Sequence, residues 1–106
     1  MSDESAPDLQ ALAAELAADL DEVSVSGDGG VVVYERGTAI FARATHDALE
    51  LRLPEDIVDA ALRTPDTLAV PGQSGWLRFV PADEERHVTD RATAWFQTAW
   101  RHAGGP

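Results

Sequence analysis

Few side chains in this sequence have types and spacing that could carry chemistry. His46 stands next to Asp47, a pair able in principle to share a proton as acid and base. The same residues also read as a solvated turn, since Thr45-His46-Asp47 falls between two apolar alternating runs. His87 and His102 sit alone near the two ends of the last helical stretch, where capping or dipole roles account for them. There is no HExxH and no paired-histidine spacing, and with no cysteine a thiolate metal site is impossible. Ser74 lies in Gln-Ser-Gly-Trp and lacks the G-x-S-x-G turn that would expose a nucleophile. Gly27-Asp-Gly-Gly30 could cradle an anion on its amides. It lacks the following Lys and Ser or Thr and no helix follows it, so a hairpin turn is the expectation. What remains is a set of arginines, Arg36, Arg43, Arg52 and Arg78, together with Trp76.

Those arginines fall on segments that alternate as strands do. Leu49, Leu51 and Leu53 share one face of such a strand and Glu50 and Arg52 the other. Leu77 and Phe79 oppose Trp76, Arg78 and Val80 in the same way. In Thr38 to Arg43, Ile40 and Phe41 fall on opposite faces, which predicts a central or doubly covered strand. Val31 to Tyr34 is a β-branched and aromatic run, and Glu35-Arg36-Gly37 fits as a turn. If these strands are neighbours, Arg43, Arg52, Arg78 and Trp76 lie on one sheet face. There they either bond nearby acids such as Glu35 and Glu50, or form a groove binding a carboxylate or phosphate against a tryptophan wall. His46 is the remaining candidate contact for such a ligand.

The elements around the strands are helical. Leu9, Leu12, Leu16, Leu20 and Val23 form one apolar stripe, with Ser5 expected as N-cap and Pro7 in the first turn. Pro54 opens a short helix to Arg63 whose Ile57, Val58, Ala61 and Leu62 face the sheet. Thr64 to Ser74, with two prolines and a glycine, is the longest irregular segment and is expected to be a mobile loop. Asp83-Glu84-Glu85 suit the first turn of a last helix, whose stripe is Val88, Ala92, Trp95, Phe96, Ala99 and Trp100. The order predicts one α+β domain over residues 1–106. An antiparallel sheet of about five strands is flanked by an N-terminal helix, a short middle helix and a long C-terminal amphipathic helix. Residues 1–7 and 103–106 are expected as loose ends.

The formal charge is −11 over 106 residues. The first 30 residues carry eight acids and no Arg or Lys. Such a field opposes nucleic acid and anionic membranes as partners. Every basic residue is Arg, a bias that fits a GC-rich genome or salt adaptation. The absence of cysteine and the acidic MSDESAPD start predict a cytoplasmic location, and no run of residues is long enough to span a membrane.

The segments YERGTAIFAR, HDALELRLPEDIVDAAL, SGWLRFVP and DRATAWFQTAWR, spanning about Val31 to His102, resemble the small bacterial and archaeal proteins grouped as a "luciferase domain" family. More distantly they are similar to MmcQ/YjbR-like proteins. Gly37, Pro54, Trp76 and Trp95 match fold positions of those families. The resemblance implies an antiparallel sheet flanked by helices, transfers no catalytic residue, and includes relatives labelled as DNA-binding.

No cofactor is expected. The leading expectation is a non-enzymatic binding or protein-interaction module, acting through the sheet face or the Thr64 to Ser74 loop. The alternative is an enzyme or binder taking a small anionic ligand at Arg43, Arg52, Trp76, Arg78 and His46, with His46 and Asp47 as acid and base if it is an enzyme. Nucleic-acid binding is a third and is disfavoured by charge. The sequence is compatible with a monomer and with a homodimer.

Overall fold

The structure, a computed structural model, describes residues 8–28, 30–81 and 86–104. Three helices lie with a six-stranded, wholly antiparallel sheet: α1 (Leu9–Ala18), β1 (Val23–Asp28), β2 (Val31–Arg36), β3 (Ala39–Ala44), β4 (Leu49–Arg52), α2 (Glu55–Ala61), β5 (Thr67–Ala69), β6 (Trp76–Phe79) and α3 (Arg86–Ala103). The strand order is β1-β2-β3-β4-β6-β5. The first four strands form a meander because each turn between them is too short for anything but an antiparallel return. Gly37, with φ of 64°, makes the β2–β3 turn, so β2 continues through Glu35 and Arg36, which the sequence reading had placed in that turn.

Alternation sorts the sheet into two faces. Leu49, Leu51, Leu77 and Phe79 are fully buried on one of them. A register shift at Tyr34/Glu35 inserts an extra residue in β3. Ile40 is consequently left exposed, while Phe41 and the following Ala42 are both buried. α3 supplies Val88, Ala92, Phe96 and Ala99 to that core, with Trp95 and Trp100 half-buried at its flanks. Phe96 meets Tyr34 and Phe41 edge-on at 5.5 and 5.3 Å between centroids. Phe79 meets Trp95 in the same way at 5.2 Å.

α1 departs from the expected stripe. Its buried residues are Leu9, Ala13 and Ala17, and Leu12 and Leu16 are only partly covered. The two alanines let the helix approach closely, which brings that line of the helix inward. The helix stops at Ala18, so Leu20 and Val23 follow it rather than belong to it. Asp8 is the N-cap, accepting the Ala11 N–H; Ser5, expected in that role, lies outside the described residues. The acids at 83–85 expected in the first turn of α3 also lie outside them.

Thr64 to Ser74, expected as one mobile loop, is not wholly irregular. It contains β5, which pairs with β6 through Thr67↔Phe79, Leu68↔Arg78 and Ala69↔Leu77. The Thr67 hydroxyl donates to the carbonyl oxygens of Ala61 and Thr64, tying this strand to the end of α2. At the other edge of the molecule Arg36 stacks over Trp100 at 3.9 Å, donates to the Trp100 carbonyl and pairs with Glu22. The Trp100 indole N–H donates to Asp21 O.

Burial pushes the Tyr34 phenol above its ordinary 10.0. The folded chain therefore holds this proton more tightly than the unfolded one. The corresponding stability is complete below the unfolded value and declines as pH rises toward the folded one. The sequence has one tyrosine, no lysine and no cysteine, so no other side chain titrates there. Urea midpoints measured from about pH 9 to about pH 11 should fall for the wild type and stay flatter for Tyr34→Phe. Parallel curves would show that Tyr34 does not set the alkaline limit.

Candidate functional site

Helices cover one face of the sheet: the buried residues of α1, α2 and α3 belong to a single core with those of the strands. The opposite face carries the residues that the sequence marked out. The register aligns Arg43 with Glu50 and Glu50 with Arg78, and sets Arg52 opposite Trp76. Arg43, Arg52, Arg78 and Trp76 thus share one face, as expected from the alternation.

The register also places an acid between two of the arginines. Glu50 holds Arg43 through one carboxylate oxygen at 2.9 Å and Arg78 through the other at 2.8 Å. Only 18% of its side-chain surface is exposed, so this is a shielded triad rather than a loose surface pair. Arg43 is further engaged. Its guanidinium stacks over Trp76 at 4.2 Å and donates to the Gln73 side-chain oxygen at 2.6 Å, fastening the loop before β6 onto the sheet. Its Nε–H is buried without an acceptor among the described residues. Arg43 and Arg78 thus share one carboxylate, the cross-strand ion pairing that is one of the two readings of the sequence, and the triad keeps a single net positive charge.

Arg52 is different. It is exposed and forms no ion pair among the described residues. It lines an open groove of about 470 Å³ with Ala39 and Ile40 of β3, Gln73, Ser74, Trp76 and the β2–β3 turn residue Thr38. A guanidinium fork, an indole wall and the Gln73 side-chain amide converge there, a donor set suited to a planar or tetrahedral anion. On the other side of the same loop lies a cleft of about 600 Å³ against α2. Glu55 and Asp59 line it, and Ser74 donates to Glu55, so its charge suits a different ligand.

His46 does not join the arginine groove. It sits in the turn at the far end of the β3–β4 hairpin, 75% exposed, with Nδ1 3.4 Å from Asp8. Arg52 is three residues past Leu49, about 10 Å further along the strand, at the opposite end of β4. Asp47 accepts from the Thr45 hydroxyl and is not the partner of His46. The expected acid–base pair is thus not formed, and His46 is removed from the ligand-contact set. Gln73 was not singled out from the sequence; an amide in a Pro- and Gly-rich loop gives no signal of its target across the chain.

Among the described residues no three His, Cys, Asp or Glu side chains gather as a metal site would require, and no helix is long and apolar enough to cross a membrane. No family model, curated protein or solved structure matches the chain.

Proposed function

We propose that this protein is a binding module, and that its uncovered sheet face takes a carboxylate- or phosphate-bearing partner at Arg52 and Trp76. One observation carries the reading. Of three arginines on that face, two share the single carboxylate of Glu50, while Arg52 stands exposed beside Trp76 with no acid partner among the described residues. A guanidinium left free next to an indole is an anchor for an anion with an apolar or planar body.

The catalytic alternative has less support, because His46 and Asp47 each face other groups and lie away from the groove. Nucleic-acid binding also has less. The arginines are dispersed: Arg36 clasps the end of α3, Arg91 packs over Phe79 and Trp95, and two more are held by Glu50. Among the described residues no basic stripe is left to follow a phosphate backbone. Kinship with the "luciferase domain" and MmcQ/YjbR-like proteins is part of the same proposal. Its support is the order of elements: a Gly-turn hairpin, a leucine strand, a Pro-started helix, a Trp-led strand and a long last helix. A cytoplasmic setting, expected from the cysteine-free composition, also belongs to the proposal.

The test is a titration with inorganic phosphate and with succinate at millimolar concentrations, followed by the indole N–H resonance of Trp76 and the Nε–H resonance of Arg52. Both should shift and saturate. Arg52→Ala should abolish the shift at Trp76, whereas Arg63→Ala, at an exposed arginine just past α2, should leave it unchanged. Failure of every anion to move Trp76, or equal responses in the two variants, would sink the reading.

A further inference from the structure

The two edges of the sheet are built differently. β5 is a three-residue strand preceded by Pro65 and followed by Pro71, so it offers little to a passing chain. β1 is six residues long, Val-Ser-Val-Ser-Gly-Asp, and pairs with β2 in an unbroken register. Apart from the charge of Asp28 at its end, it has none of the devices that protect an edge: no proline, no lysine, no bulge. Among the described residues nothing but β2 pairs with it, so its outer row of backbone N–H and C=O groups is available for an added strand.

A groove of about 340 Å³ runs beside that edge, lined by Ala14, Ala17, Ala18, Val23, Val25 and Tyr34. The small alanines of α1 give it depth, and Val25, 59% exposed, forms its outer lip. A strand added to β1 would project every second side chain toward the helical side, over this apolar surface. Glu15, Asp19 and Asp21 are exposed close by in the chain, and none of them is ion-paired among the described residues. No Arg or Lys occurs in the first 30 residues.

From these features we infer that the β1 edge and the α1–β1 groove form a second docking site, taking an extended segment with alternating apolar residues and Lys or Arg at its flanks. Backbone hydrogen bonds supply the pairing, the groove seats one apolar side chain, and the acids select cationic flanks. Charge decides against a second copy of this chain as occupant. An isologous β1–β1 contact would bring the same acids of two chains, each at −11, face to face. The site lies two strands away from β3 and the Arg52 groove, so the two can be tested apart.

The probes are three capped peptides: Lys-Val-Thr-Val-Thr-Val-Lys, its Glu-flanked counterpart, and the Lys-flanked version with proline at the central valine. Titrations of the full chain should show the Lys-flanked peptide shifting the Ser24 to Gly27 amides and slowing exchange of those that point outward. The Glu-flanked peptide should bind about tenfold or more weakly, and the proline version should lose the β1 protection. Val25→Lys and Ala18→Lys, both at exposed positions, should each weaken the Lys-flanked peptide about tenfold, while Arg52→Ala should not. Equal binding of both flanked peptides, shifts confined to another surface, or no binding by any probe would overturn the inference. So would concentration-dependent dimerisation that protects β1 without peptide, which would give the edge to a second copy.

Discussion

Replacing Phe96 by alanine is expected to remove about 3–5 kcal/mol of stability, the usual cost of emptying a buried phenylalanine site. Phe96 is fully buried and lies edge-on to both Tyr34 and Phe41, so the substitution opens a cavity against two strands at once. The rings around it are held by the sheet backbone and cannot collapse inward easily, which places the cost toward the upper part of that range. Against a total of roughly 5–15 kcal/mol for a domain of this size, that loss removes a third or more of the stability over most of the range, so the urea midpoint should fall steeply. Urea denaturation followed by tryptophan fluorescence reads this directly. Trp95→Ala, at a half-buried flanking position, should cost less, and the reverse order would mean that α3 seats its aromatic stripe differently.

The second large effect is expected at Glu50. Glu50→Ala removes the carboxylate that holds Arg43 and Arg78, leaving two guanidiniums side by side on one face. Arg43 already has one buried N–H without an acceptor and would lose its charge partner as well. Leaving shielded charged donors unsatisfied costs about 1–3 kcal/mol. Arg78→Ala removes a more exposed arm and should cost at most about 1 kcal/mol. Combining Glu50→Ala with Arg43→Met should recover part of the loss, because the two residues share one network. The same Glu50→Ala variant should bind phosphate more tightly than the wild type, since it removes one negative charge and frees two guanidiniums on the face that carries Arg52. A variant no less stable and no stronger as an anion binder would show that Glu50 neither holds nor masks those arginines.

Much of this architecture could be read from the chain because its strands are local. Leu49, Glu50, Leu51 and Arg52 alternate cleanly, so the face of each side chain follows from sequence parity. Trp76 to Phe79 does the same, and shared parity brought Arg43, Arg52, Arg78 and Trp76 to one face before any coordinates. The stripe of α3 was equally legible from its spacing. What parity cannot give is register between strands distant in sequence. Whether Glu50 or Glu35 would face Arg43 depends on that register, and so does the distinction between a compensated arginine and a free one. β5 was hidden for a related reason. Thr67-Leu68-Ala69 is too short for a pattern and is flanked by prolines, and it is a strand only because β6 lies beside it. His46 and Asp47 lie in an exposed turn, as the solvated-turn reading has it, and adjacency in sequence within a turn does not make adjacent side chains face one another.

The Arg36 clasp has a kinetic consequence. The meander from β1 to β4 is built from neighbours in sequence and closes small loops, which is fast. The contacts of Trp100 with Asp21 and with Arg36 join residues 79 and 64 positions apart, so they close only after both ends of the chain have arrived. Because Asp21 leads into β1 and Trp100 belongs to the last turns of α3, the two ends lock or release together. Breaking the Trp100 contacts with Asp21 and Arg36 therefore loosens both ends of the chain at once rather than one terminus alone.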